Sequence, residues 1–343
     1  MSLQPLLLPA AWRGSELLTR EDWTTWLTED DITELEAASL GNHGPGESMA
    51  AGEAALPGLG PRLRRIGEYL ESGSGATLIR GFPIHRYDLD TATRLFATLA
   101  SWLGTPLSQS VRGETIFRVQ DAGLAEGHPG ARGPNTRRQL SFHTDRCDVI
   151  GFFCVREARS GGESEVISSV TLFNEMLARR PDLLPVLMQP FLYQRHTIES
   201  GNAIPYFRQP IFSLHQGHFS ATLLRVLIDR AYSMPDTPDM TELQREALDT
   251  LERIANEPDL SVRFCQRPGD ILFLNNFVTL HRRTAFEDHP EQERKRLLLR
   301  IWLSVPCNRP LDPAFADFYG ATEAGTLRGG IWPPGERPGQ MSP

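Results

Sequence analysis

Cysteine is scarce in this chain: four residues in 343 (Cys147, Cys154, Cys265 and Cys307), with no C-x-x-C pair among them. That spacing excludes a disulfide scaffold and argues against a zinc ribbon or a dithiol redox motif. Reduced thiols fit a cytoplasmic protein. Cys147 and Cys154 are read as small buried hydrophobes, not ligands. Long apolar runs are also missing, since nothing approaches the roughly 18 residues that a membrane-spanning helix needs. The opening Met1-Ser-Leu-Gln-Pro-Leu-Leu-Leu-Pro9 has no basic region and too short an apolar stretch for a signal peptide. Positive charge is in deficit, with a formal net charge of −8. This argues against nucleic acid or an anionic membrane as a main partner. Internal repeats are absent. What remains, 40% hydrophobic and 23% charged residues, describes a globular chain with a sizeable core.

The chemistry begins at Leu140-Ser-Phe-His143-Thr144-Asp145. On an extended segment, residues i and i+2 point to the same side, so His143 and Asp145 can grip one metal ion while Thr144 turns away. A third ligand must come from elsewhere, and His281 in Asn275-Asn-Phe-Val-Thr-Leu-His281-Arg-Arg-Thr is the best candidate. Two imidazoles and one carboxylate on one face of an octahedral ion form the facial triad of non-haem Fe(II) oxygenases. An H-x-D alone is a weak signal; the strand C-terminal to His281 strengthens it. In Lys295-Arg296-Leu-Leu-Leu-Arg300-Ile-Trp302-Leu-Ser the period is two, with Arg296, Leu298, Arg300 and Trp302 sharing one face. Unpaired charge is expensive in apolar surroundings, and a carboxylate held bidentately would satisfy a guanidinium there. The pattern suggests a 2-oxo acid chelated to iron with its far end on arginine.

Taken together, His143-Thr-Asp145, Gly161-Gly-Glu-Ser164, His281-Arg-Arg-Thr-Ala-Phe286 and Arg296-Leu-Leu-Leu-Arg300 resemble the taurine dioxygenase (TauD/TfdA) family over about residues 75–305. That family is a branch of the Fe(II)/2-oxoglutarate-dependent dioxygenases. The resemblance implies His143, Asp145 and His281 as iron ligands, with O2 and 2-oxoglutarate as cosubstrates. It implies Arg296 as the anchor of the 2-oxoglutarate C5 carboxylate. Ser164 stands where the family usually has a threonine that bonds the cosubstrate. Arg300 matches a second arginine that touches cosubstrate in some members and an anionic substrate in others. The expected reaction couples oxidative decarboxylation of 2-oxoglutarate to C–H oxidation, chiefly hydroxylation, of a small molecule. Related halogenases lack the carboxylate so that chloride can bind iron, so Asp145 argues for hydroxylation, desaturation or ring formation. Gln109, Arg118, Tyr206, Arg208 and Arg225 are candidates for a polar substrate pocket. A divalent-metal hydrolase on the same ligands, or an inactive ligand-binding barrel, are the alternative readings. A homo-oligomer is possible.

The expected fold is mainly β with flanking helices: a distorted double-stranded β-helix, the cupin-like jelly roll, with an inserted helical region. The predicted organisation is an N-terminal extension (1–74), a dioxygenase barrel (75–305, including an insertion at 183–260) and a Pro/Gly-rich tail (306–343) that wraps the outside. Helices are expected from Thr28, at 62–70, 89–103 and 172–178, and after a capping box at Thr241–Gln244. Strands are expected at 76–83, within 108–119, at 149–155 and leading into His281. The Gly-rich segment 121–138 is read as an active-site lid, and 41–61 as a surface loop. Asp148 is expected to cap or pair locally. Arg282, Arg283, Glu287 and Asp288 are expected in a solvated turn, with Arg282 the one that could reach substrate. The seven other histidines are read as surface or structural, His215 and His218 being a minor candidate metal pair.

Overall fold

A computed structural model describes residues 3–40, 56–124, 133–195 and 204–333. Two facing sheets organise it. The larger runs in the order Thr24–Trp26, Ala76–Arg80, Ile271–Asn275, Val149–Arg156, Leu297–Ser304, with Thr105–Pro106 and Ile116–Val119 both on the last strand's free edge. All its pairings are antiparallel except Thr24–Trp26 with Ala76–Arg80. The smaller runs Ser261–Phe264, Ser164–Ser168, Thr279–Arg283, and a single antiparallel bridge between His281 and His143 extends it. This is the jelly-roll arrangement expected. Among the described residues, hydrogen bonding does not close the two sheets into a barrel.

Alternation places the site. In Leu297–Ser304, Leu299, Ile301 and Leu303 pack outward under helices Glu29–Leu40, Leu59–Ser72 and Leu89–Ser101, together with Phe153, Ile271 and Phe273. The other parity, with Ile150, Leu272, Leu274 and Trp302, faces Val166 and Val262 of the smaller sheet. Side chains alternate on successive residues, so Arg296, Leu298 and Arg300 are committed to the inner side. The helices behind the smaller sheet begin where caps dictate: the Ser168 hydroxyl accepts from Thr171 N at 2.9 Å, and the expected Thr241/Gln244 capping box is formed.

The insertion at 183–260 carries the expected helices, Leu184–Leu187, Arg225–Tyr232 and Glu242–Ala255, and adds two antiparallel strand pairs, Phe191–Gln194/Tyr206–Gln209 and Phe212–His215/His218–Ala221. Their aromatic faces (Phe191, Tyr193, Phe207, Phe212, Phe219) join helices Ser169–Arg179 and Glu242–Ala255 in one core. One expectation of organisation differs: the C-terminal segment does not merely wrap the surface. Leu311, Phe315, Phe318 and Tyr319 are buried in that same core, a contribution on the order of 1.5–3 kcal/mol each. The 41–61 loop lies mostly outside the described residues, as does the centre of the 121–138 lid. No helix among the described residues is long and apolar enough to cross a membrane.

Candidate metal and cosubstrate site

His143 and His281, 138 residues apart (281 − 143), are directly opposed: each backbone N–H donates to the other's carbonyl at 3.0 Å. A pair closed by two such bonds sends both side chains to one side of the ladder. Their ring centroids accordingly lie 4.4 Å apart. Thr144 does turn the other way, bonding to the backbone of Leu223, so Asp145 returns to the side of His143. One donor atom from each of His143, Asp145 and His281 lies within 4.8 Å of the others, and no other such cluster occurs among the described residues. His215 and His218, paired across a hairpin, find no third ligand there.

Protonation suits this set to a cation. His143 Nδ1 lies 2.9 Å from the Ser141 carbonyl, which can only accept, so Nδ1 carries a proton and Nε2 is the ring nitrogen left to face a cation. Burial pushes His281 down to about 3, with the neighbouring imidazole adding to it, so it is neutral at ordinary pH. For Asp145, burial works against the charge. Arg300, foremost among its neighbours, counters this and holds the carboxyl below its usual range. The turn is fixed from behind: Asn276 Oδ1 accepts from Asp145 N at 3.0 Å, and Asn276 Nδ2 donates to Cys147 Sγ at 3.0 Å. Cys147 and Cys154 are buried, and burial raises both thiols, Cys154 to about 12. They are inert packing groups.

From the three ligands a cavity of about 570 Å³, including its open mouth, runs between the sheets to Arg296. Phe152, Leu272 and Leu298 wall it on one side; Ser164, Val166 and Arg283 wall it on the other. Arg296 is 4% exposed, its Nη1 is buried without a hydrogen-bond partner, and burial lowers it to about 10. An unpaired buried guanidinium is costly, and a carboxylate entering the cavity would relieve that cost. Ser164 Oγ donates to Gln266 Oε1 at 3.1 Å, while Gln266 Nε2 is held by the Phe152 carbonyl at 3.1 Å. Gly161 and Gly162 make this approach possible. Both have positive φ (70° and 74°), and a Cβ on Gly162 would sit 3.1 Å from Arg296 Nε.

The five residues expected to form a substrate pocket do not line this cavity. Gln109 is buried and spent: its Oε1 accepts from Arg300 Nε at 2.7 Å, and its Nε2 donates to the Thr115 and Arg300 carbonyls, each at 2.8 Å. Arg118 and Arg208 are exposed, because each strand turns its odd neighbour inward instead. Tyr206 is half-buried on its hairpin, opposite Gln194. Arg225 is fixed by Asp229, Asp249 and Glu252 at 2.8–3.2 Å. The solvated turn is corrected too. Arg282 and Arg283 belong to strand Thr279–Arg283; Arg282 pairs with Glu165 and lies over Phe142, while Arg283 is 6% exposed and faces the cavity. Burial first, then Arg296, lowers Arg283 to about 9. Its position was available to inspection, two residues beyond His281 and so on the same face of a strand. Asp148 does not pair locally: it meets Arg328 at 2.6 Å, both fully buried.

A jelly roll with two imidazoles and a carboxylate at the inner end of a cavity that carries guanidinium groups defines a metal-dependent oxygenase class. The chain belongs to the family described as taurine catabolism dioxygenase TauD, TfdA family, whose model matches residues 48–302. FR-33289 synthase of Streptomyces rubellomurinus is 28% identical over 313 residues, spanning 89% of this chain and 92% of that protein. The taurine hydroxylase-like protein SAT17 of Stachybotrys chartarum is 28% identical over 309 residues, 85% of this chain and 77% of that one. Among solved structures, asparagine oxygenase in complex with Fe(II), 2S,3S-3-hydroxyasparagine and succinate superposes with a TM-score of 0.62 at 17% identity, over 82% of this chain and 94% of that chain.

Proposed function

We propose that this protein is an Fe(II)- and 2-oxoglutarate-dependent dioxygenase that oxidises a C–H bond of a small molecule. One observation carries the reading: three metal-competent donors and a buried, unpaired guanidinium occupy opposite ends of a single cavity. In this reading His143, Asp145 and His281 hold iron. Arg296 anchors the distal carboxylate of 2-oxoglutarate, and the Ser164 hydroxyl assists by turning its proton from Gln266 to that carboxylate. Iron with bound 2-oxoglutarate supplies the oxidising power, O2 being consumed as the cosubstrate leaves as succinate and CO2. The chain's own part is geometric and electrostatic. Arg300 keeps Asp145 ionised, Phe152, Leu272 and Leu298 exclude water, and the fixed His143 tautomer presents Nε2. A hydrolase would need the metal ligands but would leave Arg296 without a counter-ion.

Substrate class is read more coarsely. The relatives include uridine-5'-phosphate dioxygenase of a Streptomyces species, 27% identical over 52% of this chain. The structural neighbours include OrfP in complex with Fe and alpha-ketoglutaric acid, with a TM-score of 0.59 at 15% identity. These support a small polar substrate. Adding Fe(II) and 2-oxoglutarate without oxygen should give the weak visible charge-transfer band of the chelate. Absence of the band in protein shown to hold iron would sink the reading. Succinate release across amino acids, nucleoside phosphates and small organic acids would then identify the substrate.

A further inference from the structure

Arg283 is a second guanidinium at the Arg296 end of the cavity, and the proposed mechanism gives it no role. Its Nε donates to the Thr284 carbonyl at 3.2 Å and its Nη2 to the Arg138 carbonyl. Among the described residues, no carboxylate lies within ion-pair distance of either Arg283 or Arg296. The two are organised around one ring: the Arg283 Cζ lies 4.6 Å and the Arg296 Cζ 5.2 Å from the centroid of Phe286. Across the smaller sheet, Arg283 is in register with Ser164, the hydroxyl assigned to the cosubstrate. A fixed counter-charge stands nearby. Asp288 Oδ1 accepts from Arg296 N at 2.8 Å, while its Oδ2 is buried without a partner.

We propose that Arg283 is a second cation of the cosubstrate anchor, so that the distal carboxylate of 2-oxoglutarate is held between Arg283 and Arg296. This rests on the dioxygenase reading. Asp121 and Asp288 act on Arg283 only from beyond ion-pair distance, so a carboxylate entering the cavity would be the first direct anionic partner of either guanidinium. Strand alternation agrees: residues i and i+2 point to the same face, so Arg283 shares with His281 the face that lines the cavity. Asp288 would then moderate binding, keeping the paired cations from trapping the anion.

The test is anaerobic titration of the full chain, loaded with Fe(II), with 2-oxoglutarate, followed by the charge-transfer band. Arg283→Met should weaken 2-oxoglutarate binding roughly 10- to 100-fold, the usual range for losing a charged hydrogen bond, with Fe(II) affinity retained. Arg283→Lys should restore part of the loss. Asp288→Asn keeps the bond to Arg296 N and removes the charge, so it should tighten binding several-fold. An Arg283→Met protein that melts earlier but binds 2-oxoglutarate within twofold of the parent would overturn the proposal. So would a defect confined to the KM of the primary substrate. If Arg283→Met does not fold, Asp288→Asn decides: unchanged or weaker binding counts against the anchor. A missing band in the parent protein instead sinks the dioxygenase reading itself.

Discussion

Arg300 Nη1 lies 3.4 Å from Oδ2 of Asp145, and its Nε is occupied by Gln109 at 2.7 Å. The guanidinium also lies over the rings of Phe117 and Trp302, at 5.2 and 4.8 Å. A side chain so confined has little freedom to swing toward a substrate. Its charge acts on the carboxylate that faces the metal position, and Gln109 sets its angle.

Gln109→Leu removes the acceptor on Arg300 Nε and two donated bonds in one step. Loss of a hydrogen bond to a charged group costs about 1.5–3 kcal/mol. Turnover should fall about tenfold with the KM for 2-oxoglutarate little changed, measured by succinate release. A variant that is only less stable, with kcat intact, would mean that Gln109 does not orient Arg300 for the reaction.

Asp145→Ala leaves two imidazoles facing each other with no anionic donor. Fe(II) affinity should drop by at least roughly a hundredfold, the upper figure for losing merely an outer partner of a ligand. Anaerobic equilibrium dialysis against Fe(II) measures it; unchanged iron content would remove Asp145 from the metal site.

His281 supplies a pH signature in the metal-free protein. Its folded value, about 3, lies below the ordinary 6.5, so the unfolded chain takes up the proton first. Stability is therefore flat from this group above pH 6.5 and falls as pH drops from there toward 3, by up to ~1.4 kcal/mol per pH unit. The lowered carboxyl of Asp145 pushes the same way below its ordinary 3.8. Urea unfolding between pH 7.5 and 5 should show this slope in the parent and lose part of it in His281→Phe.

Asp148 and Arg328 form a buried ion pair that Asn308, Ser304 and Val305 N complete around the Asp148 carboxylate. Removing one partner of a buried pair costs about 3–5 kcal/mol, whereas replacing both with apolar groups costs much less. Arg328→Met should destabilise by that amount in urea unfolding, and Asp148→Leu combined with Arg328→Met should be milder. Equal losses in the two proteins would contradict the pairing.

Local pattern determined a good deal of this molecule. Period two in Leu297–Ser304 fixed which face the two arginines share, because a strand alternates whatever surrounds it. The i, i+2 spacing of His143 and Asp145 put them on one side for the same reason, and helix caps at Thr28 and Thr241 set where those helices begin. Only the tertiary structure decided what each charge meets. Asp148 finds Arg328 180 residues away (328 − 148), Gln109 is turned to Arg300 instead of to a substrate, and Arg283 is drawn from an expected turn into a strand by pairing with Ser164. Periodicity is written in neighbouring residues, whereas the partner of a buried polar group depends on which distant strands pack together.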